Sequence, residues 1–287
     1  MQKCPTLARL ARPPLYSNVH FCSPGPGSPN DLFMHKIGPG VLDPTHPATK
    51  TPIRAFPSIR TECFRLSAFP SALLIPHPDT IGTPGRPSID TWANRLSRAA
   101  QLQDSGVETQ GPFDLSRVVA PSILLPHPRK SIPMLLYFSI SKAKTHKHAA
   151  KRRKLRTRFK EAINLVVTRG AQGTKDELGV PQLEFNDEEV RENGDRWILP
   201  DWVYICYPEA SLYLMRYPQL VPLLRSSLHK IWIHGTSLEK RWAEDEMRKQ
   251  AGLPPLAFQK QPTHRKSQPP RTPRQNFESK RYPSTAR

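Results

Sequence analysis

The residues with the clearest binding chemistry form one cationic stretch, between positions 142 and 160. It contains ten lysines and arginines and two histidines, but no aspartate or glutamate. Like charges one helical turn apart repel by roughly 0.2–0.5 kcal/mol per pair, so a solvated helix usually mixes both signs. Phosphates would offset this repulsion and release condensed counterions on binding. The stretch therefore predicts a polyanionic partner. The cations assigned to this contact are Lys142, Lys147, Lys151, Arg152, Arg153, Lys154, Arg156, Arg158 and Lys160.

The other polar residues predict no active site carried by the protein itself. No Ser/His/Asp, Cys/His or paired-carboxylate arrangement stands out, so no catalytic residue is assigned. The four cysteines, at positions 4, 22, 63 and 206, lack the spacing of a zinc site or a disulfide framework, which favours a reducing compartment. His146 and His148 form an isolated pair, and we expect them to face solvent rather than bind a metal.

An apolar stripe places the cations on a helix. Within Lys147–Arg169, apolar residues follow the first one at offsets of 4, 7, 8 and 11 positions, which is the period of one helix face. Gly170 then supplies a stop signal. We therefore expect a helix that packs against a sheet and holds its cations in a fixed array. The stripe consists of Leu155, Phe159, Ala162, Ile163 and Val166.

Two other interpretations of the cations are weaker. KRRK at 151–154 fits a nuclear-localisation pattern, but such a signal needs no folded scaffold. The net charge of +19 also fits an anionic membrane surface. The apolar stripe of the helix, however, is expected to pack against a sheet, and it contains no tryptophan. No stretch approaches the roughly 20 apolar residues of a membrane span. RNA is the expected partner, and neither a membrane nor DNA is expected.

Two strands and a second helix complete the predicted core. Met134–Ser141 is an apolar and aromatic run of strand length. Trp197–Tyr207 carries apolar residues on both faces, which predicts a central, covered strand. Leu220–Trp232 is amphipathic and begins after Pro218, so it predicts a helix that covers the sheet.

The flanking sequence divides the chain further. The 33 prolines, 14 glycines and 37% hydrophobic residues indicate that much of the chain lies outside a core. Residues 1–30 have the acid-free composition of a transit peptide, although a basic disordered tail is the alternative. We expect residues 31–110 to be largely disordered, 171–196 to be an acidic surface insertion, 235–252 a separate charged helix, and 253–287 a basic disordered tail.

The order of these elements resembles the protein subunit of bacterial-type ribonuclease P. Phe138–Lys142 (FSISK) matches the family's strand, and residues 149–162 (AAKRRKLRTRFKEA) match its basic helix, with Arg153 where the family has asparagine. Asp201–Pro208 (DWVYICYP) matches its next strand, and Leu220–Trp232 its closing helix. The connection between Lys142 and Ala149 is longer than in the family. Phe113–Val118 is a candidate for the family's aromatic amino-terminal segment.

The resemblance implies a fold and a function for residues 111–234. The fold would be an α/β two-layer sandwich with the basic helix in a left-handed βαβ crossover, although about 98% of such crossovers are right-handed. The protein would be the RNA-binding subunit of a ribonuclease P that matures the 5′ end of tRNA. A catalytic RNA would perform the hydrolysis with Mg²⁺, and the protein would bind no cofactor itself.

Some consequences stay open at the level of sequence. Phe138 and Tyr204 are candidates for stacking on unpaired bases of the precursor tRNA, although a core position is the stronger interpretation for both. The transit-like segment favours a mitochondrial location, with the nucleus as the alternative. A structural protein of the mitochondrial ribosome is the second functional hypothesis, because both ends of the chain are basic. A basic regulatory protein without a defined RNA is the third.

Overall fold

A mixed five-stranded sheet forms the centre of the molecule. The computed structural model of the protein describes residues 13–16, 18–22, 26–29, 40–76, 91–97, 131–142, 145–176, 179–250 and 252. The strands of the sheet are β1 (Asn18–Phe21), β3 (Ser58–Arg60), β4 (Phe64–Pro70), β6 (Ser131–Phe138) and β9 (Trp202–Pro208). Their order across the sheet is β1-β6-β9-β4-β3. Two small antiparallel pairs stand beside it, β2 (Gly27–Ser28) with β5 (Ile75–Pro76), and β7 (Gln172–Lys175) with β8 (Pro181–Glu184).

The pairing within the sheet places β9 at its centre. β6 pairs with β9 in parallel, and β4 pairs with β9 antiparallel from Phe64–Pro208 to Pro70–Trp202. β1 extends the sheet in parallel with β6. The prediction of a central, covered strand is confirmed, with the strand beginning at Trp202 rather than at Trp197, because residues 194–197 form a 3-10 turn.

Two long helices cover one face of this sheet. They are α1 (Ala149–Arg169) and α3 (Tyr217–Gln250), and the short α2 (Asp187–Asn193) lies between them in the chain. The ring of Phe159 in α1 contacts Phe64 and Phe138, at centroid distances of 5.1 and 5.9 Å. Trp202, at an even position of β9 like Tyr204 and Cys206, stacks on Trp242 of α3. Phe64 is paired with Pro208, which is also an even position of β9. Because side chains alternate along a strand, the residues that contact α1 and those that contact α3 lie on the same face of the sheet. The expected α/β class is confirmed.

The prediction that residues 31–110 are largely disordered is wrong for residues 40–76 and 91–97. β4 supplies Phe64 and Leu66 to the core, and the helical residues 92–97 bring Trp92 into it. The folded unit therefore begins well before residue 111. Prolines mark the ends of extended segments here instead of preventing structure: Pro70 closes β4, and Pro52 precedes a 3-10 turn at Ile53–Ala55.

The boundary at residue 235 is also wrong, because α3 runs through it without a break. Gly235 does not end the helix. A Cβ on this glycine would lie 2.2 Å from Leu199 Cδ1, so the glycine lets the helix approach the residues that precede β9. Thr236 continues the helix and donates its hydroxyl to the carbonyl of Trp232.

The amino-terminal and acidic segments have structures of their own. β1 lies within the 1–30 segment predicted as a transit peptide, and Val19 of this strand and Cys22 just after it are buried in the core. Removal of all thirty residues would therefore remove an edge strand of the sheet. The acidic insertion forms the β7–β8 hairpin and α2. Phe113–Val118 and the predicted tail at 253–287 lie outside the described residues. No described helix is long and apolar enough to cross a membrane.

Candidate nucleic-acid interface

The basic helix is anchored by the stripe that its sequence predicts. Leu155, Phe159, Ala162, Ile163 and Val166 are all buried, and all but Leu155 are completely inaccessible. The helix ends at Gly170, which has a left-handed φ of +57° and donates its N–H to the carbonyl of Val166. A Cβ at this position would lie 2.4 Å from the carbonyl oxygen of Asn186, so glycine fits both needs. Both predictions, the helix and its stop, are confirmed.

The cations on this helix form no salt bridges within the part of the chain that the structure describes. No salt bridge in the described part of the chain joins any of the nine assigned cations to a carboxylate. The first turn of α1 contains no acid, and His148, at the cap position, makes no capping hydrogen bond with its side chain. Cations near a helix amino terminus also meet the positive end of the helix dipole. No salt bridge to a described residue therefore offsets the repulsion that the sequence predicts.

The cations of the helix form two groups, one on each side of the buried stripe. The tyrosine flank consists of Lys151, Lys154 and Arg158, which face Tyr213 and Tyr217. The open flank consists of Arg153, Arg156 and Lys160. Arg153 and Arg156 are exposed, and Lys160 lies with its Nζ 4.9 Å from the ring centre of Phe21 in β1. Lys142 and Lys147 are exposed just before the helix.

The tyrosine flank forms a ladder of contacts with residues 213–217. The Nζ atoms of Lys151 and Lys154 lie 5.5 and 4.8 Å from the ring centre of Tyr213. The guanidinium of Arg158 lies 5.0 Å from the ring centre of Tyr217, whose hydroxyl donates to Glu161. Burial and this hydrogen bond raise the pKa of Tyr217, so the hydroxyl stays protonated. The loop before α3 is thereby fixed to the basic helix.

Two of the nine assigned cations are used inside the protein. Arg158 donates one hydrogen bond to the carbonyl of Tyr213 at 3.1 Å and another to the carbonyl of Met215. Arg152 donates to the carbonyls of His146 and Lys147, both at 2.8 Å, and so fixes the entry to α1. These hydrogen bonds give both arginines a positioning role, and their assignment as RNA contacts stays a prediction. Arg153 and Arg156 are the helix cations that reach farthest into solvent.

The two candidate stacking aromatics have different surroundings. Tyr204 is completely buried in the middle strand, its hydroxyl accepts a hydrogen bond from the N–H of Leu199, and burial raises its pKa. It cannot stack on a base, so this assignment is wrong, and the core interpretation holds. Phe138 is half-buried against Phe159. Phe21, Tyr213 and Tyr217 are the aromatics that contact the cations, and only their tertiary positions reveal this.

The acidic insertion lies at the opposite end of α1 from the cations. The N–H of Asn186 donates to the carbonyl of Arg169, the last residue of the helix. Glu189 forms a salt bridge with Arg225 of α3 and accepts a hydrogen bond from Gln172. This acid therefore pairs with a cation of another helix and not with those of α1. His146 and His148 pack ring to ring at 5.2 Å, and no group of three metal-ligand side chains occurs among the described residues.

Comparison with known proteins gives no match: no family model, no curated protein and no solved structure is similar enough to this chain to identify it.

Proposed function

We propose that this protein is an RNA-binding subunit of a ribonuclease P-type ribonucleoprotein that acts in tRNA 5′-end maturation. One observation carries the proposal: a set of cations that form no salt bridge with any described residue lies on a helix whose other side packs against a sheet. Phosphates would supply the negative charge that these cations lack. RNA binding is therefore the function that the geometry supports best.

The order of the elements supports the ribonuclease P part of the proposal. β6, α1, β9 and α3 follow one another as the resemblance implies, and β6 and β9 are parallel neighbours joined through α1. In this proposal the fold is the two-layer sandwich with a left-handed crossover. The RNA subunit would bind Mg²⁺ and hydrolyse the precursor tRNA, while this chain supplies charge and position. The location would be mitochondrial, with the nucleus as the alternative.

A structural protein of the mitochondrial ribosome is the second candidate. The observation that favours it is the carboxyl-terminal sequence, where residues 260–287 contain eight bases and one acid. Basic extensions of this kind neutralise folded RNA over long distances. RNA recovered with the protein separates the two: a single catalytic RNA supports the first, and ribosomal RNA in a large particle supports the second.

Charge reversal tests the RNA-binding surface. The double variant Arg153→Glu/Arg156→Glu removes two exposed cations from the open flank, and Lys230→Glu/Lys240→Glu makes the same change in net charge on the exposed side of α3. We expect the first pair to weaken binding to a structured RNA by more than about a hundredfold, because each reversal replaces attraction by repulsion. The second pair should change affinity only severalfold. Equal effects of the two pairs would contradict a localised site.

Reconstitution tests the enzymatic context. The wild-type protein, added to a candidate catalytic RNA and a precursor tRNA at low Mg²⁺, should increase cleavage at the mature 5′ end. The Arg153→Glu/Arg156→Glu variant should not. Binding of RNA without any effect on cleavage would refute the ribonuclease P assignment and leave RNA binding intact.

A further inference from the structure

The loop between β9 and α3 is held rigidly against the basic helix. Arg158 grips the carbonyls on both sides of Leu214, those of Tyr213 and Met215. The N–H groups of Leu214 and Met215 donate to the carbonyl of Ser211, at 3.1 and 3.2 Å. The hydroxyl of Ser211 in turn donates to the carbonyl of Glu62, beside β4. The backbone at Leu214 is therefore fixed from two directions.

The side chain of Leu214 projects from this fixed backbone into solvent, with 80% of its surface exposed. A single exposed leucine is ordinary on a protein surface. Here, however, the leucine directly follows Tyr213, whose partly exposed ring Lys151 and Lys154 approach. Two consecutive loop residues thus supply an exposed apolar side chain and an aromatic ring, beside two lysines that form no salt bridge with a described residue.

This combination matches the two chemical faces of an unpaired nucleotide. Ammonium groups bind phosphate, and apolar or aromatic side chains cover the face of a base. Paired bases inside an A-form duplex hide their faces in the stack, so a duplex offers this patch only phosphates and hydroxyls. A protein partner fits less well, because it would have to neutralise two lysines that form no salt bridge with a described residue.

We propose that Leu214 and Tyr213 form a contact for an unpaired nucleobase, with Lys151 and Lys154 binding the phosphates beside it. This inference rests on the proposed RNA-binding function and deepens it: the RNA bound by the basic helix has a single-stranded nucleotide at this position. Arg158 is the positioning residue, because its guanidinium fixes the backbone on both sides of Leu214. The open flank then binds the adjoining structured RNA.

The test uses the full-length protein and two probes of equal charge. Each is an RNA hairpin with a short single-stranded 3′ extension, which carries bases in one probe and abasic sugars in the other. The wild type should bind the base-containing probe about tenfold more tightly, because stacking of one base on a side chain contributes roughly this much. Leu214→Ala should abolish the preference and leave affinity for the abasic probe unchanged. Ile233→Ala, which trims an aliphatic residue that is 50% exposed on α3, should keep the preference.

Arg158→Lys tests the positioning role. Lysine keeps the charge but cannot donate to two carbonyls in a planar fork. We expect the preference for the base-containing probe to fall as in Leu214→Ala, with the salt dependence of binding unchanged. If this variant does not fold, the comparison of Leu214→Ala with Ile233→Ala decides the question alone.

The outcomes separate this inference from the function on which it rests. Equal binding of both probes by the wild type, or a preference that survives in Leu214→Ala, overturns the nucleobase contact alone. Failure of the wild type to bind either probe overturns both proposals.

Discussion

Charged residues occur in two regions of this molecule, and they are treated in opposite ways. On α1 the cations are exposed or partly exposed, and none has a carboxylate partner among the described residues. Beneath the carboxyl-terminal half of α3, ionisable side chains are buried and have partners inside the protein. Arg95 donates to Asp201 at 2.5 Å, with 7% and 8% of the two side chains exposed. Glu239, 5% exposed, accepts a hydrogen bond from the indole of Trp202.

This difference indicates that the cations of α1 are available to a partner, whereas the buried cluster stabilises the fold. The buried cluster joins segments far apart in the sequence, since Arg95 and Asp201 are 106 residues apart and Trp242 donates to Thr51 across 191. Its charges could not be left unpaired without a large desolvation cost. The cations of α1 form no salt bridge with a described residue, and only Arg152 and Arg158 hydrogen-bond to backbone carbonyls. Changes in the two regions should therefore have separate consequences.

The largest effect should come from breaking the buried pair. Arg95→Met leaves Asp201 without this partner in the interior, and loss of one member of a buried pair costs about 3–5 kcal/mol. Urea unfolding followed by circular dichroism measures this cost. Arg153→Met removes the same kind of charge from the open flank and should change stability by less than about 0.5 kcal/mol. Equal losses would show that the two regions do not differ as argued.

Neutralising the open flank should give the next largest effect, on binding alone. Arg153→Gln/Arg156→Gln should weaken affinity for structured RNA roughly thirtyfold and reduce the slope of log K against log salt by about 1.5, since each phosphate contact contributes about 0.7–0.9. The melting temperature should stay within a few degrees of the wild type. An unchanged slope would mean that these arginines do not touch phosphates.

The sequence predicts elements whose causes are local. The stripe from Leu155 to Val166 and the glycine at 170 determine α1 within two residues of its observed start, because helical periodicity is a short-range signal. Apolar residues on both faces of β9 likewise predict its central place. β4 escapes prediction, because its surroundings are rich in proline and its longer pairing, with β9, joins it to residues more than a hundred positions later. The sequence around β4 carries no sign of that distant partner.

The candidate site is predictable in its charge but not in its geometry. Consecutive bases show that the surface is cationic, yet Arg158 and Arg153 look alike in the sequence. Their roles differ because one lies beside the carbonyls of Tyr213 and Met215 while the other faces water. Tyr204 and Phe138 differ in the same way, since one lies in the middle strand and is completely buried. Such distinctions depend on which neighbour the fold brings close.

Glu239 provides a smaller effect that depends on pH. Burial raises its pKa from 4.5 to about 7, with the indole of Trp202 and the charge of Arg95 acting against this and Asp201 acting with it. Because the folded state holds the proton more tightly, stability falls as pH rises from about 4.5 to 7 and is constant above. Glu239→Gln should remove this loss and be more stable than the wild type at about pH 8 by roughly 1–2 kcal/mol. A variant less stable than the wild type at that pH would contradict the assignment.

The smallest effect concerns His46, which titrates in the opposite sense. It lies between Trp92 and Trp242, at ring distances of 4.9 and 5.3 Å, and accepts a hydrogen bond from the N–H of Ala48. Burial and the charge of Arg95 lower its pKa from 6.5 to about 3, against the opposing charge of Asp43. Its stabilising contribution is present above pH 6.5 and is lost as pH falls toward 3.

In the wild type the trend of Glu239 partly hides that of His46 between about pH 4.5 and 6.5. In Glu239→Gln the loss on acidification should therefore be visible, at about 1 kcal/mol for the first pH unit below 6.5. Adding His46→Asn keeps an acceptor for the N–H of Ala48, since asparagine is a good cap residue, but removes the titrating ring. The double variant should lose this pH slope even if its absolute stability is lower. A slope that persists would assign the acid sensitivity to another group, and binding to RNA at neutral pH should be unaffected in either case.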